Sequence, residues 1–571
     1  MKKARKLQHH ATVKIRVILA GFFMTLLTIF IIFALLQVSL FNPVVKLYVQ
    51  GADPETVRTI LARRGQILDR NGNILAESVD AHSLWVNPRA LKDPEMFASL
   101  VGPIIEIPEQ QIIDLIHANS ERFFVYVRRK ITTSQMQDIL QFRRPRNFDF
   151  GFEPDQRREY PKNRSAASLI GCVGTDNSGL SGLEFTFNEE LNGIPGKQIV
   201  YQTFAGDRVP YSSDLIQKPM PGYSLLTTID YTLQNIVEGI LEKHIHRWNA
   251  VGGVAVVMDP GTGEILCMAS RPTFDLNQGA RFIENPNYFN KAVSMNFEPG
   301  SVFKTIIAAS ALEEGVLSPM TMLNCTGSVR IADARVQCMI PHGEQNLADI
   351  LRNSCNVGFV EIGMKMRERM HRYAMRFNLG SALPIRIFGQ ERGIVPTPEK
   401  WHETTYATFS FGQGLTATPL QIITSYAALA NDGKMMKPMI IRELRDHLGH
   451  PVEIFEPTLM RSIVSSQTAR EIKLALRNSI HHPRGTHQAV VEGISIAGKT
   501  GTAKKVVDGR YVDDRVVTSF VGFFPAENPQ YVILVSLDEP RPSHEAYGAT
   551  VAAPIFKEIV QWMQSHMLLT Q

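Results

Sequence analysis

A run of twenty uncharged residues, 17–36, is the feature that most restricts how this chain can fold. It is long enough to cross a bilayer as a single helix. A cleaved signal peptide is the alternative, but its apolar region would be shorter and would end in a small-x-small cleavage site. Residues 33–42 are instead mostly bulky. We therefore predict an uncleaved transmembrane anchor over residues 17–38.

The charge balance orients this anchor. Six basic residues precede the first acidic one: Lys2, Lys3, Arg5, Lys6, Lys14 and Arg16. A positive flank stays in the cytoplasm, so residues 1–16 form a cytoplasmic tail and the chain beyond about residue 39 lies in the periplasm or outside. Removing these six from the total of 60 leaves 54 basic residues against 55 acidic ones. The bulk of the chain is thus near neutral, which gives no support for nucleic-acid binding. We expect a single-pass protein of the cytoplasmic (inner) membrane.

The 571 residues, of which 44% are hydrophobic and 20% charged, are enough for two or more globular domains. Residues 39–230 have a mixed pattern without a nucleophile-and-base pair, which favours a pedestal or interaction domain. Their charge runs, such as Arg157-Arg158, are interpreted as solvated faces. Residues 231–571 show strands early, helices in the middle and strands late. A central antiparallel sheet must therefore join the two ends of this second domain.

The five cysteines are too sparse for a disulfide framework: Cys172, Cys267, Cys325, Cys338 and Cys355. Cys325 and Cys338 bracket a short strand-like segment and could pair in an oxidising compartment. No His/Cys group has the spacing usual for metal ligands, so we expect no metal site.

The stretch from Glu298 to Leu312 combines a turn with an apolar helix. Pro299 and Gly300 interrupt the chain, and a helical apolar face follows. Ser301 is therefore expected at or near a helix N-terminus, with Lys304 one turn later on the same face. A partly desolvated lysine can accept the proton of a serine hydroxyl. Taken alone, the pair favours the simpler interpretation of an N-cap serine beside a solvated lysine.

Two further motifs change that balance: Ser354-x-Asn356 and Lys499-Thr500-Gly501. Each alone is weak, since the first is usually a turn and the second usually the end of a strand. In this order, with Ser301-x-x-Lys304, they form the serine acyl-transferase set of penicillin-binding proteins and serine β-lactamases.

Each residue type suits a role in acyl transfer. Ser301 is the predicted nucleophile and Lys304 its base. Ser354 can relay a proton towards the leaving amine, and Asn356 can hold the backbone of the acyl donor.

The third motif suits substrate binding. Lys499 adds positive charge, and Thr500 and Thr502 can bind a terminal carboxylate. Gly501 leaves room for a substrate lying beside the strand as an extra strand. The backbone N–H groups of Ser301 and Thr502 are the natural oxyanion hole.

The chain resembles a class B penicillin-binding protein, a peptidoglycan D,D-transpeptidase. Besides the three motifs, the resemblance rests on Arg64-Gly-x-Ile-x-Asp-Arg-Asn-Gly72, Arg158-x-Tyr-Pro161, Gly179-Leu-x-Gly-Leu-Glu184, Met258-Asp-Pro-x-Thr-Gly-Glu264, Phe411-Gly-Gln-Gly414 and Ala552-Ala-Pro-x-Phe556. The short motif ending at Glu184 is most like that of the septal, cell-division type; the elongation type is the alternative.

This resemblance implies an α+β protein with a single N-terminal transmembrane helix. An extended mixed α/β pedestal of the dimerisation type would occupy residues 39–230. A transpeptidase domain with a five-stranded antiparallel sheet flanked by helices would occupy residues 231–571. The implied reaction is attack of Ser301 on the bond between two terminal D-alanines of a stem peptide, release of D-Ala, and cross-linking by a neighbouring amine.

The same resemblance implies the ligands and partners. Peptidoglycan stem peptides are the substrates, and β-lactams would acylate Ser301. No metal or organic cofactor is implied. A glycosyltransferase of the SEDS type and other membrane proteins of the division machinery are the expected partners.

Three alternatives share part of the pattern. A β-lactamase needs a rapid deacylating water but neither a pedestal nor a permanent anchor. A β-lactam sensor would carry several membrane spans and a protease domain. A scaffold with an inactive transpeptidase fold would not need the complete motif set.

Overall fold

A computed structural model describes residues 2–41, 55–142, 148–202, 208–278 and 289–566. The first residue, the segment 42–54 of the predicted pedestal and the last residues 567–571 lie outside the described ranges.

Up to residue 247 the elements are α1 Lys2–Phe41, β1 Glu55–Ile60, β2 Ile67–Leu68, β3 Ile74–Val86, α2 Pro94–Ile105, α3 Glu109–His117, β4 Val125–Ile131, α4 Thr133–Leu140, β5 Phe150–Glu159, α5 Ala167–Ile170, α6 Gly182–Thr186, α7 Asn188–Asn192, β6 Gly196–Gln202, β7 Arg208–Gln217, β8 Ser224–Thr227 and α8 Tyr231–Arg247.

The elements that follow are β9 Gly252–Met258, β10 Ile265–Arg271, α9 Lys291–Ser294, α10 Phe303–Glu313, β11 Leu323–Cys325, β12 Ser328–Ile331, β13 Ala334–Gln337, β14 Gly343–Gln345, α11 Leu347–Arg352, α12 Asn356–Met366, α13 Arg369–Arg376, α14 Glu403–Phe409, α15 Pro419–Ala430, β15 Lys434–Met436, β16 Ile441–Arg445, β17 Pro451–Ile454, β18 Leu459–Ser462, α16 Ser466–His481, β19 Ala497–Val507, β20 Arg510–Phe524, β21 Tyr531–Asp538 and α17 Ala552–His566.

The chain divides into two compact units. The first comprises residues 1–62 and 194–220, and the second residues 63–193 and 221–571. In the first unit, β1, β6 and β7 form a three-stranded antiparallel sheet. Its helix α1 contains the segment Arg16–Gln37, which is apolar and long enough to cross a membrane. The large apolar side chains of this segment are exposed.

The second unit contains the predicted five-stranded sheet, in the order β10-β9-β21-β20-β19 with every pair antiparallel. Strands from both ends of the predicted domain therefore meet in one sheet, as the sequence indicated. Strand β9 is buried on both faces. Val254 and Val256 lie in the same buried cluster as residues of α10 and α15, whereas Ala255 and Val257 lie in the cluster of α8 and α17. Helices on both sides thus cover the sheet, and β19 is left at its edge.

A second sheet in this unit has the order β17-β16-β8-β2-β3-β4, and β5 also pairs with β3. Strand β16 lies antiparallel to β8, although the two are more than 200 residues apart in the chain. A turn at Asn71-Gly72 joins β2 to β3 as a hairpin, and Gly72 has the positive φ of 87° that this turn requires.

The prediction that Arg158 belongs to a solvated face is wrong. Its guanidinium is buried and contacts the buried Glu184, with Nε 2.7 Å from Oε1. Arg64 binds the other carboxylate oxygen, Nε to Oε2, at 2.7 Å, and also donates to the backbone oxygen of Glu184. The hydroxyl of Tyr160 completes the group at 3.4 Å. Three short motifs that are distant in sequence therefore meet around one buried carboxylate.

Candidate active site

Ser301 lies in a single 3-10 turn, Gly300–Val302, that continues directly into α10. Gly300 begins this turn with a φ of 52°, and its N–H donates to the carbonyl of Gly412 at 3.1 Å. The buried hydroxyl of Tyr426, on α15, donates to the carbonyl of Val302 at 2.8 Å. Ser301 is thus held at a helix start by contacts on either side of it, where the sequence predicted it.

Lys304 is completely buried, and its ammonium lies between the first and second motifs. The Nζ atom is 2.7 Å from the carbonyl oxygen of Ser354, 3.1 Å from Ser354 Oγ and 2.6 Å from Asn356 Oδ1. Burial lowers the pKa of Lys304 well below its usual value, and the nearby Lys499 lowers that pKa further. This lysine is far easier to deprotonate than one in water.

Ser354 connects the lysine to the serine. Its Oγ lies 2.9 Å from Ser301 Oγ. The backbone at Ser354 has a φ of 49°, a left-handed conformation that costs a non-glycine residue about 1–3 kcal/mol and is concentrated at functional sites. A hydrogen-bonded path therefore runs from Ser301 through Ser354 to Lys304.

Asn356 is the first residue of α12. Its Oδ1 accepts from Lys304, and its Nδ2 donates to the carbonyl of Gln337 at 2.9 Å. Both side chains of the second motif thus contact the ammonium of Lys304.

Lys499, Thr500, Gly501 and Thr502 lie on the edge strand β19, whose inner neighbour is β20. Lys499 is buried, and burial lowers its pKa to about 7. Its Nζ donates to the carbonyl of Thr500 at 3.3 Å. Thr502 is exposed, and its Oγ1 accepts from the N–H of Gly548 at 3.0 Å.

Gly501 also has a packing role that the sequence did not indicate. A Cβ at this position would lie 2.4 Å from Ser519 Oγ, 3.0 Å from Val302 Cγ1 and 3.3 Å from the carbonyl oxygen of Pro299. Only glycine lets β19 lie this close to the turn that carries Ser301.

Several supporting residues were missed from the sequence. Glu298 accepts from the N–H of Gly414 at 2.9 Å and from the hydroxyl of Tyr511 at 3.0 Å. Burial raises the pKa of Glu298. Gly412 approaches so closely that a Cβ on it would lie 2.2 Å from the carbonyl oxygen of Gly300. The motif containing Gly412 and Gly414 was noted only as part of the resemblance, and no local pattern pointed to Tyr426 or Tyr511.

The structure brings together one group of His and Cys side chains that their spacing along the chain did not indicate. Cys325, Cys338, His342 and Cys355 come together, with one potential ligand atom of each within 4.8 Å of the others. Cys325 and Cys338 are not joined by a disulfide here. Spacing did not reveal the cluster because twelve residues separate Cys325 from Cys338 and again His342 from Cys355.

Comparison with known families identifies the class to which this fold and site belong. Residues 253–561 match the penicillin-binding protein transpeptidase domain, and residues 59–227 match the penicillin-binding protein dimerisation domain. The chain belongs to the penicillin-binding protein transpeptidase family, in agreement with the resemblance drawn from its motifs.

Individual relatives are similar over most of the chain. Stage V sporulation protein D of Bacillus subtilis is 32% identical over 87% of this chain and 77% of its own length. The peptidoglycan D,D-transpeptidase FtsI of Escherichia coli is 30% identical over 88% of this chain and 84% of its own. Penicillin-binding protein 3 of Mycobacterium tuberculosis, in complex with aztreonam, superposes with a TM-score of 0.70 at 28% identity, covering 90% and 98% of the two chains. Together with the apolar N-terminal helix, these relatives identify a membrane-anchored protein.

Proposed function

We propose that this protein is a peptidoglycan D,D-transpeptidase that cross-links stem peptides through an acyl-enzyme on Ser301. The single observation that carries the proposal is the hydrogen-bonded path from Ser301 Oγ through Ser354 Oγ to the buried Nζ of Lys304. This path gives the serine a base without a histidine. The names of its relatives supply the substrate class.

The hydrogen bonds around Lys304 specify how the proton moves. An ammonium has three N–H donors, and Lys304 has three acceptors: the two oxygens of Ser354 and Oδ1 of Asn356. A neutral amine keeps two N–H groups and gains one lone pair. Of the three partners only the hydroxyl of Ser354 carries a proton, so it alone can reverse and donate to Nζ. Ser354 Oγ is then free to accept the proton of Ser301.

In the proposed acylation, Ser301 Oγ attacks the carbonyl carbon between the two terminal D-alanines. The proton of Ser301 passes by way of Ser354 to Lys304. The C–N bond then breaks, and Ser354 returns a proton to the leaving amine of D-Ala. The N–H groups of Ser301 and Thr502 stabilise the oxyanion. An amine of a neighbouring stem peptide then attacks the acyl carbon and forms the cross-link, while the C–O bond to Ser301 breaks and the proton lost by the amine passes to Ser301 Oγ.

Strand β19 is the proposed binding edge for the acyl donor. Its position at the edge of the sheet leaves backbone groups available for an added strand. A groove lined in part by residues 414–416 and 503–506 continues along this strand. Lys499, Thr500 and Thr502 would bind the terminal carboxylate, and Asn356 would hold the donor backbone.

We further propose the domain boundaries and the orientation predicted from the sequence. These are a cytoplasmic tail at 1–16, an anchor at 17–38, a pedestal at 39–230 and a transpeptidase domain at 231–571 that lies in the periplasm or outside. The matches at 59–227 and 253–561 support the division. The positive flank before Arg16–Gln37 supports a cytoplasmic N-terminus.

A septal role in cell division, beside a SEDS-type glycosyltransferase and other division proteins, is the proposed setting. Relatives named FtsI support it. A fluorescent fusion that gathers at midcell is the expected result. Distribution along the side wall would instead indicate the elongation type.

Labelling with a fluorescent penicillin tests the acyl-enzyme directly. We expect the full chain in membranes to form a stable adduct that is lost in Ser301→Ala. The matched control is Ser310→Ala on the same helix, because Ser310 is buried and bonds the carbonyl of Ile306. That variant should still be labelled. An unlabelled but folded wild-type protein would contradict the proposal, and loss of the label within seconds would indicate a β-lactam hydrolase.

A further inference from the structure

A cluster of three cysteines and one histidine lies beside the second motif. Cys325 ends β11, and its carbonyl accepts from the N–H of His342 at 3.1 Å. Cys338 follows β13, and Cys355 is the N-cap of α12. Three segments of the chain, one of which carries both Cys338 and His342, therefore bring four soft or borderline ligands to the same place.

The spacing of the sulfur atoms suits a shared metal ion. Cys338 Sγ and Cys355 Sγ are 3.7 Å apart. With Zn–S bonds of about 2.3 Å, the edge between two sulfurs of a tetrahedral zinc site is about 3.8 Å. All four ligand atoms lie within 4.8 Å of one another, so no separation exceeds that edge by more than about 1 Å, which small side-chain rotations can close.

His342 provides the second, independent observation. Its Nδ1 atom is buried and has no hydrogen-bond partner among the described residues. A buried ring nitrogen without a partner costs free energy. One nitrogen of the same imidazole ring lies within 4.8 Å of the three sulfur atoms, and a neutral imidazole is a common metal ligand.

The sulfur atoms are also surrounded by N–H donors. Gly358 N–H donates to Cys355 Sγ at 3.3 Å, and Val357 N–H donates to Cys338 Sγ at 3.5 Å. Both amides belong to the first turn of α12, whose N-terminus favours negative charge. Nε2 of Gln345 adds a third donor to Cys355 Sγ at 3.3 Å. Such contacts hold thiolate ligands in position around a metal.

We propose that Cys325, Cys338, His342 and Cys355 bind one Zn²⁺ ion in a closed tetrahedral site. Three thiolates and one imidazole are a ligand set of structural zinc sites, and four protein ligands leave no position for a catalytic water. On binding, the three thiols release their protons and the sulfurs coordinate the ion, while the histidine binds in its neutral form. No oxidation is involved.

The site would fix the second motif. Cys355 stands between Ser354 and Asn356, which both bind the ammonium of Lys304. A metal bond to Cys355 would tie this peptide segment to β11 and to the segment after β13. The proposed ion is therefore structural, and it positions catalytic residues without touching substrate.

Metal analysis of the purified full chain tests the site without relying on activity. After reconstitution under reducing conditions and removal of loose metal, we expect stoichiometric zinc in the wild type. The double variant Cys325→Ser/His342→Ala should lose it. Cys267→Ala is the matched control, since this buried cysteine lies in β10 and outside the cluster, and it should keep the metal.

Cobalt gives a second readout that needs no variant. The chain loaded with Co²⁺ should show the intense visible bands of a tetrahedral ion and thiolate charge-transfer absorption. A wild-type chain without zinc or these bands would overturn the proposal, as would a Cys338–Cys355 disulfide that survives the reducing step. Metal-loaded protein that fails to react with penicillin would contradict only the proposed function.

Discussion

At the scale of residues, two buried lysines determine the chemistry of the site. Lys304 and Lys499 are both removed from water, and burial is the first cause of the lowered pKa of each. Their proposed tasks need opposite protonation states. Lys304 must be neutral to accept a proton, whereas Lys499 must be charged to bind a carboxylate.

A bell-shaped pH profile of penicillin acylation is therefore expected. The rate should rise with pH as Lys304 loses its proton. It should fall again as pH passes the lowered pKa of Lys499, about 7, because the neutral amine no longer attracts the carboxylate. Measuring the second-order acylation rate across pH in wild type and Lys499→Arg checks this. Arginine stays charged, so its profile should lose the alkaline fall; an unchanged fall would exclude Lys499 as the cause.

The relay through Ser354 gives a second residue-scale prediction. Both Ser354→Ala and Ser354→Gly should slow acylation by about 10²–10⁴-fold, the usual contribution of a positioned proton donor or acceptor. Glycine also relieves the left-handed backbone at this position, where φ is 49°. Ser354→Gly should therefore melt at or above the wild-type temperature while remaining as slow as Ser354→Ala. Fast acylation in either variant would mean that Lys304 takes the proton directly.

The sequence predicted the nucleophile and its immediate partners because their residue types and order are specific to one kind of chemistry. The structure shows hydrogen bonds between Ser301 and Ser354 and between Lys304 and Ser354. Lys304 also bonds Asn356. Tyr426 and the cysteine cluster could not be predicted. Their roles depend on which distant segments meet in space, and their spacing along the chain does not indicate that.

At the scale of elements, the turn before α10 depends on the loop that contains Gly412. This loop accepts the N–H of Gly300 and passes so close that no side chain fits between them. The position of Ser301 is thus set by a contact from outside its own helix.

Gly412→Ala should lower both the melting temperature and the acylation rate. A Cβ would lie 2.2 Å from the carbonyl oxygen of Gly300, and the φ of 89° is itself unfavourable for alanine. Gly414→Ala is the matched control, because Gly414 has a φ of 79° but open space around its Cβ position. The control should show only the backbone cost of about 1–3 kcal/mol. Equal effects in the two variants would show that the close approach of Gly412 to Gly300 contributes neither to stability nor to the acylation rate.

Hairpins and amphipathic helices were predictable because their signals are local. The turn at Asn71-Gly72 and the helix Glu109–His117 follow from residues within one window of sequence. The pairing of β16 with β8 was not predictable, since hydrophobic periodicity shows that a strand exists but not which distant strand it pairs with.

At the scale of the whole molecule, one buried carboxylate joins three distant motifs. Glu184 binds both Arg64 and Arg158, and all three side chains are almost fully buried. Removing one member of such a group leaves an uncompensated charge, which is far more costly than loss of a surface ion pair.

Glu184→Gln should therefore destabilise the second compact unit by about 3–5 kcal/mol. The exposed pair of Glu361 and Lys365, 2.8 Å apart on α12, is the control. Glu361→Gln should cost no more than about 1 kcal/mol. Thermal unfolding of the full chain measures both, and a Glu184→Gln variant as stable as its control would show that solvent reaches the two arginines.

The order of the central sheet also governs how the protein can fold. Val254 of β9 pairs with Ser536 of β21, nearly half of the chain's length away. Contacts between such distant residues form slowly, because the entropy of closing a long loop is lost before the contacts stabilise the fold. Strands β9 and β10 are buried along their whole length in the finished sheet, so they expose apolar surface until β21 has been synthesised. A chain interrupted before that strand would hold Ser301, Ser354 and Lys499 but could not complete the sheet that brings Lys499 to them.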